Sequence, residues 1–218
     1  SDVYKRQGSH RPHLKMPSRA LVRSELEGKL AEMAAAGQKP DAITFAGNGE
    51  PTGHPEFAQI VDDVIKLRDR FAPKAKISVL TNAFHILRPE VFAALQRVDN
   101  ALLKLDTVNL EYIELVNRPQ GRYDLERLVE KMKAFEGNCM IQTMFMKGSW
   151  EGKSVDNTSE RFVGPWLAAV KAIRPKLVTI YTIDRETPDK SLEKATHEEL
   201  DRIAARLREA GLECTVSY

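Results

Sequence analysis

Short apolar segments alternate with amphipathic helical segments along the chain, and this alternation restricts the fold more than any other feature. The segment 42–46 is rich in β-branched and aromatic residues, whereas the segment 55–71 places apolar side chains at helical spacing. The same alternation predicts further strands at 76–80, 100–105, 139–146, 177–181 and 213–216. Strands separated by helices form βαβ units and a parallel sheet with the helices outside. The sequence therefore predicts an α/β fold.

The two ends of the chain fit this pattern less well than its middle. From Ser18 the first predicted element is a helix, although a fold of this kind opens on a strand. We therefore expect a partial (β/α)6 TIM-like barrel of parallel strands with outer helices and a missing first strand. Residues 1–17 have no initiator Met and no periodicity, and we interpret them as a non-native or linker leader. The core domain is expected at 18–218, incomplete at both ends.

Composition narrows the function classes. A formal charge of +2 with mixed surface charges argues against a general polyanion binder. No apolar run reaches the length of a membrane span and no signal-peptide pattern opens the chain, so we expect a cytoplasmic protein with no membrane partner. The two cysteines lie far apart, which is neither a disulfide framework nor metal-ligand spacing.

Polar or Gly-rich residues follow nearly every predicted strand. In parallel α/β folds the chemistry collects at the carboxyl ends of the strands, so these residues predict a polar pocket on one rim. The Gly-rich turn at 47–52 is neither a P-loop nor a dinucleotide fingerprint. From the residues alone, a ligand loop and a simple strand-to-helix turn both remain open. The residues at the strand ends are Gly47-Asn48-Gly49-Glu50-Pro51-Thr52, Thr81-Asn82, Asp106, Lys147-Gly148 and Tyr181-Thr182.

These strand-end segments resemble, in order and spacing, those of radical S-adenosylmethionine (SAM) proteins. The resemblance covers about residues 20–218 and is greatest to a branch of Fe–S oxidoreductases related to tRNA wyosine-synthesis enzymes. In that family, a turn of Gly-Gly-Glu type follows the second strand and binds the amino group of SAM. The segments that carry the resemblance read ITFAGNGEPT with HPEF, LTNA, KLD with the later NRP, IQTMF, DNT and VTIYTIDR.

The resemblance implies roles for ten residues as cofactor ligands. Gly49 and Glu50 would hold the SAM amino group through backbone carbonyls, in a turn that also contains Gly47 and Asn48. The SAM carboxylate or ribose would face Thr81, Asn82 and Asp106, although Asp106 is alternatively a helix N-cap. Near the ribose or the substrate would lie Gln142 and Asn157, and Tyr181 would border the adenine or the substrate. No catalytic residue and no metal ligand is assigned.

The family also uses a [4Fe–4S] cluster, held by three thiolates of a Cys-x-x-x-Cys-x-x-Cys loop. This sequence has no such loop, and Cys139 and Cys214 lie on different predicted strands. We therefore expect an N-terminal truncation before the motif, and a chain that alone neither binds the cluster nor turns over. When intact, the enzyme would form a 5′-deoxyadenosyl radical that abstracts hydrogen from its substrate.

Two other functions stay open. One is a cluster-independent barrel enzyme that uses Glu50 and Asp106 as acid and base. The other is a non-catalytic binding module, favoured by the basic residues that precede the first helix. For the radical SAM interpretation, the expected partners are SAM, an electron donor and an unidentified substrate, which is a small molecule, a protein or a tRNA base.

Overall fold

The structure is a computed structural model of the 218-residue chain, and it describes residues 16–46, 49–119, 121–184 and 191–218. Two compact units make up the chain, Pro12–Leu102 and Leu103–Tyr218. Within the described residues, no helix combines the length and the apolar character needed to cross a membrane.

The unit Pro12–Leu102 alternates helices and strands. Two parallel strands lie side by side, with Ala42 paired to Lys76 at one end and Phe45 to Val79 at the other. Ser18 caps the first helix by accepting a hydrogen bond from the amide of Leu21. The elements are α1 (Arg19–Ala35), β1 (Ala42–Phe45), a 3₁₀ turn (Pro51–Gly53), α2 (Phe57–Phe71), β2 (Lys76–Thr81) and α3 (Pro89–Arg97), and β3 (Asn100–Lys104) begins here.

Helix α2 holds this unit together. It packs against α1 on one side and α3 on the other. Its apolar residues recur at the spacing of one helix face, and β2 buries alternate side chains, as a half-buried strand does. A further link is the ion pair of Arg19 on α1 with the buried Asp63 on α2, at 2.7 Å. The buried apolar side chains of α2 and β2 are Phe57, Ile60, Val61, Val64, Leu67, Ile77 and Val79.

The unit Leu103–Tyr218 contributes three parallel strands, in the order β4, β7 and β9, to the six-stranded sheet. Its strand β7 lies between β4 and β9, so that Gln142 pairs with Thr179 and Thr179 with Thr215. After β3 come the helical turn α4 (Leu110–Tyr112), a π-helix (Ile113–Asn117) and α5 (Leu125–Lys133). The remaining elements are β4 (Met140–Met144), β5 (Met146–Trp150), β6 (Lys153–Ser154), α6 (Glu160–Ile173), β7 (Leu177–Tyr181), β8 (Leu192–Lys194), α7 (His197–Glu209) and β9 (Cys214–Ser217).

A small antiparallel sheet, with β5 between β6 and β8, was not predicted from the sequence. The sequence predicted one strand over 139–146 followed by a polar loop. Instead, β4 ends at Met144, the amide of Phe145 donates to the carbonyl of Tyr181, and a second strand begins. The prediction failed because β5, β6 and β8 carry mostly polar residues without the alternation that identifies a half-buried strand. A left-handed glycine, Gly148 at φ 96°, lies where β5 pairs with β8.

A second difference concerns the start of the helix after β3. The N-cap is Asn109, whose side chain accepts from the amide of Tyr112, and not Asp106. The α-helical part that begins there, Leu110–Tyr112, is only about one turn long before it widens into the π-helix. Parallel strands alternating with helices in both units confirm the predicted α/β class. The first element within the described residues is helix α1, as expected.

Candidate functional site

The carboxylate of Glu50 organises the strand ends of the unit Pro12–Leu102. Its Oε1 accepts hydrogen bonds from the amide of Thr52 at 3.2 Å, the Thr52 hydroxyl at 2.6 Å and the Thr81 hydroxyl at 2.5 Å. Its Oε2 accepts from the amide of Asn82 at 2.7 Å. Four donors to one carboxylate fix the turn after β1 against the end of β2. The side chain of Glu50 is thus engaged inside the protein. Its backbone carbonyl accepts from the amide of Gly53 at 3.1 Å, and one acceptor position on that oxygen remains.

The turn after β2 is equally fixed. The hydroxyl of Thr81, which is 3% exposed, also accepts from the amide of Ala83 at 3.0 Å, so its donor and acceptor are both used. Ala83 has φ 64°, a left-handed conformation that is uncommon for a residue with a Cβ. Asn82 is exposed and accepts from the amide of Phe84 at 2.9 Å. Such strain at a strand end is typical of functional sites.

Open space surrounds the described glycine of the Gly-rich turn. Gly49 is exposed, and a Cβ built on it would meet no atom within 4 Å. Gly47 and Asn48, also predicted as cofactor ligands, lie outside the described residues. The space beside the Gly49 backbone is therefore open, and the role of this turn as a ligand loop stays a prediction.

His85 borders the same turn. Its Nε2 lies 3.4 Å from the position that a Cβ on Gly53 would take. Burial and the positive charge of Arg88 lower the pKa of His85, against a raising effect of the Glu50 carboxylate. The ring is therefore uncharged near neutral pH.

In the unit Leu103–Tyr218, Asp106 is the buried carboxylate at the end of β3. Its side chain is 2% exposed, and its Oδ1 accepts from the amide of Met144 at 2.8 Å. Its Oδ2 is buried and has no hydrogen-bond partner among the described residues. That oxygen lies 3.3 Å from the amine of Lys104, whose side chain is 15% exposed. Asp106 thus keeps one acceptor unused, at the strand end where ligands of α/β folds bind.

The ionisable groups around Asp106 are one charged amine and two neutral phenols. Burial lowers the pKa of the Lys104 amine, but the charge of Asp106 and further interactions, that with Tyr181 among them, together raise it above its usual value, so Lys104 stays charged. Burial together with the Asp106 charge raises the pKa of Tyr112 and raises the pKa of Tyr123 to about 12. Both phenols are therefore neutral near neutral pH, and Lys104 supplies the positive charge beside Asp106.

Asn157 hydrogen-bonds to the backbone of Asp106 and of the end of β4. Its amide nitrogen donates to the carbonyl oxygens of Met144 at 2.9 Å and Asp106 at 3.2 Å, and its Oδ1 accepts from the amide of Met146 at 2.9 Å. The side chain is fully buried, so these backbone groups use its hydrogen-bonding capacity. Asn157 thus joins the backbone of Asp106 to that of Met144 and Met146. That it lies near the ribose stays a prediction.

Gln142 and Tyr181 lie on the half-exposed face of the sheet in this unit. Gln142 alternates with the buried Ile141 and Thr143, and its backbone carbonyl accepts from the amide of Leu105. Its side-chain amide has no hydrogen-bond partner among the described residues. Tyr181 is the last residue of β7, and its electrostatic interaction with the Lys104 amine raises the pKa of that amine. The structure therefore brings Asp106, Asn157 and Tyr181 to the strand ends of one unit, and their roles as cofactor ligands stay predictions.

Sequence reasoning assigned no role to two residues of these sites, Thr52, which it only placed in the Gly-rich turn, and Lys104, which it did not single out. Thr52 is fully buried and gives Glu50 two of its four hydrogen bonds. Lys104 precedes Asp106 by two positions, which in a strand places both side chains on one face. That spacing was a usable signal, because a buried carboxylate at a strand end requires a positive charge nearby.

The two cofactors implied by the resemblance fit this chain unequally. The unused acceptor of Asp106 and the open approach to Gly49 fit SAM, which carries hydroxyl and amino donors. A [4Fe–4S] cluster does not fit, because no group of three His, Cys, Asp or Glu side chains in the described part of the chain is placed to hold a metal. Cys139 is fully buried, and burial raises the pKa of its thiol to about 12. Cys214 is on β9, and neither thiol is placed as an iron ligand.

Comparison with protein families finds one match, a model described as the radical SAM superfamily, over residues 9–151. Among curated proteins, the UPF0026 protein slr1464 of Synechocystis sp. is 28% identical over 158 residues, which are 71% of this chain and 53% of that protein. The GTPase Obg of Brachyspira hyodysenteriae is 22% identical over 182 residues, which are 82% of this chain and 25% of that protein. The chain thus spans between a quarter and about half of these relatives.

Solved structures share the fold at low sequence identity. A domain of pyruvate-formate lyase-activating enzyme from Bacteroides vulgatus matches with a TM-score of 0.61 at 16% identity, over 81% of this chain and 99% of that chain. A radical SAM methyltransferase from Sphaerobacter thermophilus matches with a TM-score of 0.67 at 17% identity, over 93% of this chain and 58% of that chain. Streptococcus suis SuiB bound to precursor peptide SuiA matches with a TM-score of 0.66 at 15% identity, over 99% of this chain and 45% of that chain. These matches confirm the predicted fold, a partial TIM-like barrel.

Proposed function

Because this chain belongs to the radical SAM superfamily, we propose that it is the SAM-binding part of a radical SAM enzyme of the Fe–S oxidoreductase type. When bound and reductively cleaved, SAM supplies a 5′-deoxyadenosyl radical that abstracts hydrogen from a substrate. The protein's own residues bind and orient SAM and limit side reactions. A relationship to tRNA wyosine-synthesis enzymes and a cytoplasmic location stay predictions.

The observation that carries the proposal is the unused acceptor of Asp106. Its Oδ2 has the Lys104 amine beside it as an ion pair at 3.3 Å but receives no hydrogen bond among the described residues. A ligand donor that reaches it would add a hydrogen bond to a charged acceptor, worth about 1.5–3 kcal/mol. SAM offers such donors in its ribose hydroxyls and its amino group. The oxygen lies at the carboxyl end of β3, where α/β folds bind their ligands, which further supports a cofactor.

The unit Pro12–Leu102 offers backbone acceptors of its own to the amino group of SAM, at Gly49 and Glu50. The Glu50 carbonyl would accept from that group in addition to the Gly53 amide, which lies 3.1 Å away. The fixed turn means that these carbonyls are oriented before SAM arrives, which lowers the entropy cost of binding.

The cluster and the substrate belong to the whole protein. The sequence has only two cysteines, and no group of side chains in the described part of the chain is placed to hold a metal, so we propose that this chain is inactive alone and that activity needs a cysteine loop outside it. An electron donor is then a further partner. The substrate remains a small molecule, a protein or a tRNA base, and the precursor peptide bound by the structural relative SuiB supports a protein segment.

The alternative functions have less support. A cluster-independent enzyme with Glu50 as acid or base is disfavoured, because four hydrogen bonds already occupy its carboxylate. A non-catalytic module does not require a buried carboxylate such as that of Asp106, whose Oδ2 receives no hydrogen bond among the described residues.

Isothermal titration of the purified chain with SAM tests the proposal. The wild type is expected to bind SAM saturably, and Asp106→Asn to bind it about tenfold or more weakly, because a hydrogen bond to a charged acceptor is lost. Glu56→Gln is the matched control, since this exposed side chain caps nothing, and its affinity should equal that of the wild type. No saturable binding, or equal binding by Asp106→Asn, would overturn the proposal.

A further inference from the structure

His54 joins the turn that follows β1 to the start of α1. Its Nε2 lies 2.8 Å from the carbonyl oxygen of Pro17, and its Nδ1 accepts from the amide of Glu56 at 3.0 Å. Because a carbonyl oxygen can only accept, Nε2 donates, and the ring is the tautomer with its hydrogen on Nε2. Both ring nitrogens are therefore used, one toward the start of α1 and one within the local segment.

The turn that ends at His54 begins at the Glu50 carbonyl proposed for SAM. The amide of Gly53 donates to the Glu50 carbonyl, and the amide of His54 donates to the Pro51 carbonyl, each at 3.1 Å. These two hydrogen bonds close the 3₁₀ turn that directly follows Glu50. The side chain of Glu50 attaches the beginning of this turn to β2, and the ring of His54 attaches its end to α1. The orientation of the Glu50 carbonyl therefore depends on both attachments.

The chain that leads into α1, residues 16–18, lies against the same turn. The terminal methyl carbon of Met16 is 3.6 Å from the position that a Cβ on Gly53 would take. The first residue of α1, Arg19, donates to both carboxylate oxygens of the buried Asp63, at 2.7 and 3.0 Å. Such a bidentate pair fixes geometry as well as charge, so it attaches the start of α1 to α2. The hydrogen bond from the turn thus reaches a part of the chain that is itself held in place.

We propose that His54 is a positioning residue for SAM, which attaches the turn after β1 to the start of α1 and so holds the carbonyl of Glu50 in its binding orientation. The inference rests on the proposed SAM site and adds to it a residue that does not itself contact SAM. It also makes Met16 and Pro17, which the sequence assigned to a leader, part of the support of that site. Without this attachment the turn adopts more orientations, and binding SAM costs more entropy.

Calorimetric titration with SAM separates the two hydrogen bonds of the ring. His54→Asn keeps an acceptor for the Glu56 amide, but its shorter side chain does not reach Pro17. This variant should bind SAM about fivefold more weakly than the wild type, because one positioning hydrogen bond is lost. His54→Gln can place its amide nitrogen near the position of Nε2 and should restore most of the affinity. Recovery by glutamine would identify the donor to Pro17 as the group that matters.

Asp99→Asn is the matched control for lost stability. Asp99 accepts from the amide of Ile77 at 2.8 Å, at the opposite end of β2 from Thr81 and in the same unit as His54. This variant should be destabilised at least as much as His54→Asn and should keep the SAM affinity of the wild type. An affinity that falls equally in the two variants would overturn the positioning role.

Amide hydrogen exchange gives a second readout that needs no SAM. The amides of Gly53 and of residue 54 should exchange faster in His54→Asn than in the wild type, and in His54→Gln they should not. Unchanged exchange in His54→Asn would overturn the attachment, and an unchanged SAM affinity, or a loss that His54→Gln does not restore, would overturn the positioning role. Failure of the wild type to bind SAM instead contradicts the proposed function, while the exchange rates still test the attachment.

Discussion

The hydroxyl of Thr81 donates a hydrogen bond of 2.5 Å to Oε1 of Glu50, and so joins the end of β2 to the turn that follows β1. Thr52 and Asn82 complete the set of donors. The acidic residue of the Gly-rich turn is therefore a structural anchor whose backbone remains available to a ligand. Sequence resemblance alone does not distinguish a structural role of the Glu50 side chain from a ligand-binding role of its backbone.

Removing the Thr81 hydroxyl should loosen this anchor. We expect Thr81→Val to lower the free energy of unfolding by about 1–2 kcal/mol, because a buried hydrogen bond to a charged acceptor is lost. Thr81→Ser keeps the hydroxyl and should lose less. Urea denaturation followed by circular dichroism measures both. Equal stability of Thr81→Val and the wild type would show that the Glu50 contact contributes nothing.

The antiparallel sheet of β5, β6 and β8 should be sensitive at Gly148. An added Cβ there would lie 1.9 Å from the carbonyl oxygen of Ser191, and the residue has φ 96°. We expect Gly148→Ala to destabilise the protein by at least about 2–3 kcal/mol, since backbone must move. Gly152→Ala, also at positive φ but with nothing within 4 Å, should cost about 1 kcal/mol. Denaturation midpoints of the two variants compare them, and equal losses would contradict the clash.

The α/β pattern was predictable because buried strands and amphipathic helices leave strong periodic signals. The segment 42–46 became β1 (Ala42–Phe45), and 177–181 became β7 at the predicted bounds. The small antiparallel sheet was not predictable, since Lys147, Ser149 and Lys153 look like loop residues and pair only through backbone groups. Likewise the Lys104–Asp106 contact depends on burial, which the sequence does not state.

Asp99 should make the stability pH-dependent in acid. Although burial raises the pKa of Asp99, hydrogen bonds from the Ile77 amide at 2.8 Å and Arg68 at 3.1 Å lower it below its usual value. A folded-state pKa below the unfolded one contributes stability that is present above about pH 4 and lost as the pH falls further. Asp99→Asn should therefore be less stable by about 1–2 kcal/mol near neutral pH, with the difference shrinking in acid.

The neighbouring Asp69 supplies the control for this experiment. It also pairs with Arg68, at 2.7 Å, but its side chain is 62% exposed. Asp69→Asn should change the stability by less than about 0.5 kcal/mol. Thermal denaturation at a series of pH values measures all three proteins. A difference between wild type and Asp99→Asn that stays constant into acid would contradict the assigned cause.

The two thiols should be poor ligands for iron. Burial raises the pKa of Cys139 to about 12 and also raises the pKa of Cys214. We expect slow thiol labelling of the folded chain, with Cys214 the faster because Cys139 is fully buried. Cys214→Ala should abolish the faster phase, and unfolding should expose both thiols. Anaerobic treatment with iron and sulfide should give no cluster absorbance, and a stable cluster on this chain would contradict the proposal that its ligands lie elsewhere.

The central claim, that SAM binds at the strand ends, is tested most directly by mapping amide chemical shifts of the labelled chain during a SAM titration. The account predicts saturable shifts concentrated at Gly49, Asn82, Asp106 and Tyr181, and their loss at Asp106 in Asp106→Asn. Shifts confined to other surfaces, such as the outer helices, or no shifts at saturating SAM, would contradict it.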